Sequence, residues 1–200
     1  MPLPWIKRVK TTGQLTVFNK AAAWKPAVTA AMGTFNSLGL GVKLVDADDE
    51  HSANVVVLLS NGSDSYPYYG KKIKANFNAT KLHGFTHTES DGRKGLEIFI
   101  AVIFLPGQVS NPTAGQKEVV IVHEFMHAAG LNGLSPDGTK DPNDDHEDQG
   151  IMFATMQISG KGAIEYLHDK DAKPMPPIRV GPKSMCKLHL VWLGEGCKND

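Results

Sequence analysis

Residues 119–130 read Val-Val-Ile-Val-His-Glu-Phe-Met-His-Ala-Ala-Gly. The run is long and apolar enough for a helix, and apolar enough that the helix must be largely buried. His123 and His127, four apart, then sit one above the other on a helical face. Both can point a ring nitrogen at one metal ion, and Glu124 lies beside them. A buried histidine pair next to a buried carboxylate is costly unless a cation compensates, so burial and metal binding are coupled expectations here.

The 200 residues suit one domain, 1–200. Within it we expect a sheet-and-helix subdomain over 1–130 and a smaller, loop-rich subdomain over 131–200. Lys plus Arg equals Asp plus Glu at 21 each, so nothing argues for nucleic acid or an anionic membrane as partner. The first ten residues carry no apolar stretch of secretory-signal length, and the longest uncharged apolar run, Ile98 to Pro106, is too short to span a bilayer. A soluble protein is expected, either whole or a domain of a longer chain. Cys186 and Cys197 are the only cysteines. They either close a small C-terminal loop or stay as thiols, and their spacing does not fit a zinc knuckle.

Local patterns give the elements. Ile6 to Val17 reads as extended segments broken at Thr12-Gly13. Ala21 to Leu38 reads as a helix with Pro26 in its first turn, Phe35 and Leu38 on its apolar stripe, and Gly39 and Gly41 ending it. Val42 to Val45 and Val55 to Leu59 read as strands, so the order strand, helix, strand, strand suggests an α/β layer with parallel neighbours. Asn61 to Lys94 is long and polar and reads mainly as a functional or mobile loop region, with a short strand near Ala75 to Phe77; His83 and His87 fall within it. Leu96 to Leu105 is a strong strand ended by Pro106-Gly107. The next helix starts either at Asn111 with Pro112 behind it or at Thr113 with Gln116 as reciprocal cap, and leaves through Gly130. Leu134 to Gly150 reads as loop, Ala163 to Asp169 as a helical piece, Lys173 to Pro177 as a rigid turn and Ser184 to Leu193 as a closing helix.

His123-Glu124-Phe125-Met126-His127 is the signature of zinc peptidases. With Ala128-Ala129-Gly130 behind it, the segment resembles the metzincin clan, whose pattern is His-Glu-x-x-His-x-x-Gly-x-x-His followed by a methionine turn. The resemblance implies an α/β (α+β) fold with a small twisted mixed sheet packed on the active-site helix. It implies Zn2+ held by His123 and His127, and Glu124 as general base. The clan's last histidine falls on Gly133, which has no side chain to bind with. An insertion of turn formers over residues 134–145 would return His146 to the metal, and Asp145-His146 resembles the Asp-His pair ending the matrix-metalloprotease form of the motif. Rival third donors are Glu165, as in thermolysin-type enzymes, then His168, Asp144, Asp145 and Asp148. Asp141-x-Asn143-x-Asp145 begins like an EF-hand loop but has His146 where that loop needs glycine and Met152 where it needs glutamate. Met152, Met156 and Met175 are candidates for the methionine turn, with Met175 slightly preferred.

The implied reaction is endopeptidase hydrolysis of a protein or peptide substrate. Candidate oxyanion donors are Tyr66, Tyr68, Tyr69, His83 and His87. By the same resemblance, Leu96 to Leu105 would be the edge strand on which substrate pairs. A second resemblance, carried by Met175-Pro176-Pro177 near the end of such a domain, is to peptidase toxin domains of type VI secretion spike proteins. It implies delivery to the periplasm of a target cell, and an immunity or inhibitor protein as partner. Alternative readings are a non-catalytic zinc-containing binding module and a zinc amidase acting on cell-wall peptides.

Overall fold

The computed structural model describes residues 2–91, 97–131, 151–152 and 178–195. A short helix α1 (Lys7–Lys10) leads into β1 (Gln14–Asn19), so the opening segment expected to be extended is helical for one turn. A 3-10 turn (Ala22–Trp24) then feeds α2 (Lys25–Ser37), with Pro26 in its first turn and Phe35 fully buried. Gly39 and Gly41, at φ 69° and 80°, turn the chain into β2 (Lys43–Asp46). β3 (Val55–Ser60) follows, then β4 (Ser65–Tyr68), β5 (Lys71–Lys74), β6 (Phe85–Asp91) and β7 (Glu97–Pro106). The long helix α3 (Ala114–Ala128) carries the histidine pair, and α4 (Pro182–Trp192) closes the described fold. No helix among the described residues is long and apolar enough to cross a membrane.

The main sheet is mixed, in the order β2-β1-β3-β7-β6. The first four strands are parallel and β6 is antiparallel to β7. A mixed α/β architecture is therefore as expected, but two strand assignments are corrected. The Asn61–Lys94 segment is not mainly loop: it holds the β4–β5 hairpin and all of β6, and the strand nearest the one expected at Ala75 to Phe77 is β5, which ends at Lys74. Its polar composition hid these strands because a hairpin and an edge strand each keep one side in water. The strand read as Leu96 to Leu105 is not an edge either. Glu97–Pro106 is hydrogen-bonded on both sides, to β3 and to β6, which explains why it reads as a continuous apolar run. Among the described residues the outer strands are β2 and β6.

Each face of the sheet has its own core. Val55, Val57, Ala101, Ile103 and Leu105 point to α2 and α3, which meet edge-to-face through Phe35 and Phe125 with ring centroids 6.1 Å apart. Val56, Ile100, Val102 and Phe104 point the other way, under Tyr66 and Ile73 of the hairpin. Leu188, Val191 and Trp192 of α4 join the helical-side core.

The C-terminal end of α3 is held from three directions. A helix leaves its last carbonyls without partners, and here they are buried. Trp5 Nε1 donates to the Ala128 carbonyl at 2.9 Å and Trp192 Nε1 to that of Ala129 at 2.9 Å. The Leu3 N–H donates to the Gly130 carbonyl at 2.9 Å. Gly130 has φ 121°, and the Gly130 and Leu131 N–H groups reach back to the His127 and Met126 carbonyls at 3.0 and 3.2 Å. That pair of bonds is a Schellman turn. The helix start is settled as well: Thr113 and Gln116 form the reciprocal cap, and Asn111, at φ 47°, lies outside the helix.

Candidate metal and catalytic site

The helical spacing brings the two imidazoles together. The His123 and His127 ring centroids are 4.8 Å apart and their Nε2 atoms 3.2 Å apart. Each ring is fixed at its other nitrogen by a backbone carbonyl. His123 Nδ1 lies 2.7 Å from the Ile151 carbonyl, and His127 Nδ1 lies 2.5 Å from that of Leu131. A carbonyl only accepts, so both Nδ1 atoms carry a proton, and in the neutral form of each ring Nε2 is the nitrogen that can bind a metal. Two Nε2 atoms at this distance can share one proton or converge on one cation. A carbonyl on the distal nitrogen is also how proteins orient metal-ligating histidines. The donor set therefore fits a metal ion. Burial holds the His123 imidazolium pKa below its ordinary value, with the charge of His83 adding to this and the hydrogen bond with Ile151 opposing it, which favours the ligand form of the ring.

These orienting carbonyls come from tertiary structure. Leu131 is placed by the Schellman turn at Gly130, four residues past His127. Ile151 is brought in from beyond the helix and anchored by its N–H on the Arg179 carbonyl at 2.8 Å. Met152, the only methionine-turn candidate among the described residues, follows Ile151 and is fully buried in the helical-side core.

Glu124 is 3% exposed. Thr86 Oγ1, from β6, lies 2.6 Å from its Oε2 and 3.2 Å from its backbone carbonyl. The hydroxyl has one proton, and the nearer carboxylate takes it. Gly84 lies directly over the same side chain: a Cβ there would sit 2.7 Å from Glu124 Cγ and 2.9 Å from Cδ and Oε1. Only glycine leaves the carboxylate its place. Burial pushes the Glu124 pKa up to about 7, against the opposing pull of the Thr86 hydroxyl, the charge of His83 and the Gly84 backbone. A carboxyl poised near neutrality can both take and return a proton.

The tertiary structure divides the other candidates. His83 is near enough for its charge to act on both His123 and Glu124, and its ring packs edge-on against Phe77. His87 is on the opposite face of the sheet. Thr86 pairs with Ile103 on the helical side, whereas His87 pairs with Val102 on the hairpin side, where its Nε2 lies 3.1 Å from Glu89. Tyr66, Tyr68 and Tyr69 belong to that hairpin side too. They and His87 are thus removed from the oxyanion candidates, since neighbours along a strand face opposite ways.

Thr86 and Gly84 were not among the residues singled out from sequence. The signal was present: Phe85-Thr-His-Thr alternates with period two, as a half-buried strand does. Among the described residues no group of three His, Cys, Asp or Glu side chains could hold a metal. The expected third donor His146 lies outside the described residues, as do its rivals Glu165, His168, Asp144, Asp145 and Asp148, and the methionines Met156 and Met175. The stretches expected as loop (134–150), helix (163–169) and rigid turn (173–177) lie outside as well. Cys186 is engaged in a disulfide; the only other cysteine of the sequence, Cys197, lies outside the described residues.

The hydrogen bond from Thr86 has a measurable weight. Thr86→Val keeps the shape but leaves a buried carboxyl oxygen short of a donor, at an expected cost of about 2 kcal/mol. In a chain of this size that is a fall in Tm of about 6 °C by calorimetry. Thr86→Ser should recover most of it, and a Tm unmoved by Thr86→Val would show that the bond contributes nothing.

No protein-family model matches this chain, and no curated protein matches it.

Proposed function

We propose that this protein is a zinc-dependent endopeptidase of metzincin-like type. One observation carries the reading: two imidazoles with proton-bearing Nδ1 atoms fixed on backbone carbonyls and Nε2 atoms converging to 3.2 Å, next to a buried carboxyl of raised pKa. His123 and His127 would hold the ion, with His146 as the proposed third donor and Glu165 its rival. When bound, zinc supplies the Lewis acidity that brings a water's pKa toward neutrality and polarises a carbonyl.

The chain's own residues account for the proton. Glu124, held by Thr86 and shielded by Gly84, takes it from the attacking water and passes it to the departing amine. His83 is the remaining candidate for contact with the reacting carbonyl. Among the described residues β6 is the outermost strand on its side of the sheet, and an extended peptide could add there as a further strand. The same strand carries Thr86, so substrate binding and orientation of the base share one element.

The test joins metal content to activity. The purified chain should carry about one zinc per molecule by plasma mass spectrometry and cleave casein, with cleavage stopped by a chelator. His123→Ala should lose both zinc and cleavage. A chain that binds no zinc, or whose His123→Ala variant keeps its full metal content, would refute the proposal.

A further inference from the structure

On the sheet face away from the histidines, a cavity of about 370 Å³ is lined by Arg8, Tyr68, Tyr69, Lys71 and Phe99. Two local irregularities build it. The first is the hairpin tip. Tyr68 pairs with Lys71, so Tyr69-Gly70 is a two-residue turn, and both residues have positive φ, 43° and 78°. That is the backbone of a type I′ turn, whose first position suits Asn, Asp or Gly. Tyrosine is a poor choice there, and its ring gains nothing from burial, being 88% exposed. A strained residue that does not serve the core is a candidate for function.

The second irregularity is in β7. Ser90 pairs with Ile98 and Glu89 with Ile100, so Phe99 is the extra residue of a bulge. Without it, alternation would send Phe99 and Ile100 to opposite faces. With it, Ile98 and Ala101 both face the helices, while Phe99 and Ile100 both face the hairpin. Phe99 thereby stacks on Tyr68 at 5.8 Å and 23°, and Tyr69 stands edge-on to Tyr68 at 4.7 Å. The bulge and the strained turn thus serve one exposed aromatic cleft.

Its charge is uneven. Lys71 is tied to the Glu89 carboxylate, which is also 3.1 Å from His87. Arg8 is exposed, and among the described residues no carboxylate pairs with it. A guanidinium matches one carboxylate with two parallel hydrogen bonds, and the aromatic walls accept the face of a planar ring. The volume is that of a small-molecule site. We propose that this cleft binds a planar aromatic ring bearing a carboxylate, with the ring against Tyr68, Tyr69 and Phe99 and the carboxylate on Arg8. Such a group is supplied either by a free aromatic acid or by the C-terminal aromatic residue of a peptide. The inference is independent of the peptidase reading.

The test is a titration of the isotope-labelled full chain by nuclear magnetic resonance. The probes are indole-3-acetate, indole, acetate and the peptide acetyl-Ala-Ala-Trp with a free C-terminus. Indole-3-acetate or the peptide should shift signals of the lining residues, with indole and acetate at least about tenfold weaker because each lacks one of the two recognised groups. The tighter of the two acids identifies the source. Tyr69→Asn and Arg8→Gln should each weaken that binding at least about tenfold. Tyr69→Asn should also raise Tm by about 2 °C, since asparagine fits the left-handed turn. Equal binding of indole and indole-3-acetate, no binding of either acid, or a Tyr69→Asn variant with unchanged affinity or lowered Tm would overturn the inference.

Discussion

Glu124→Gln is expected to keep its zinc and lose peptide hydrolysis by about 10³-fold. Glutamine preserves the volume beneath Gly84 and can still accept from Thr86, but it cannot take up a proton. The measurement is kcat/KM on a peptide substrate beside metal content, and undiminished hydrolysis with zinc in place would remove Glu124 from the mechanism. A second effect of the same substitution is on stability, and it follows from the raised pKa. The folded carboxyl keeps its proton to about 7, whereas the unfolded one releases it near 4.5. The folded state thus binds more protons across that window, so this group's contribution is complete below the lower value and lost as pH rises through the upper one. In metal-free protein the wild type should lose, relative to Glu124→Gln, up to about 3 kcal/mol between pH 4 and pH 8. Denaturant unfolding of both proteins at a series of pH values reads this directly. Adding zinc should flatten the difference, because a cation beside the carboxyl favours its ionised form.

Gly130→Ala should damage both the fold and the site. The residue has φ 121°, which alanine rarely adopts, and its Cβ would meet the Leu3 carbonyl oxygen at 2.6 Å. That oxygen belongs to backbone and cannot swing aside. The expected loss is about 3 kcal/mol, or a fall in Tm of about 9 °C. The consequence reaches the site: the turn at Gly130 sets the Leu131 carbonyl that orients His127. Weakened zinc affinity should therefore accompany the lower Tm. A Gly130→Ala variant with wild-type zinc affinity would show that His127 does not depend on that turn.

The comparison of β7 with β6 shows why some elements were legible and others were not. Residues 97–106 are buried on both faces and bonded on both edges, so almost every position is apolar and the strand announces itself. The same apolar run cannot say whether its edges are free, and it was here that the expected substrate strand was misplaced. β6 is half-buried and carries Thr, His, Glu and Ser, so its pattern is weak although its position beside the helix matters more. The exit at Gly130 was readable, and the start narrowed to Asn111 or Thr113, because both signals are local, closed within a few residues.

From the sequence alone came the helical pairing of His123 and His127, the adjacent Glu124, the helix exit at Gly130 and the parallel character of the first strands. These depend on the helical repeat, on capping and on alternation over short spans, and such signals survive in a single chain read linearly. Only the tertiary structure decided which strand is the edge, which histidine of the His83 and His87 pair faces the site, and which groups fix the three side chains. Ile151, Thr86, Gly84 and the indoles of Trp5 and Trp192 act across 28 to 123 residues of chain. Contacts over such separations arise from layer packing and strand register, and no local pattern encodes them.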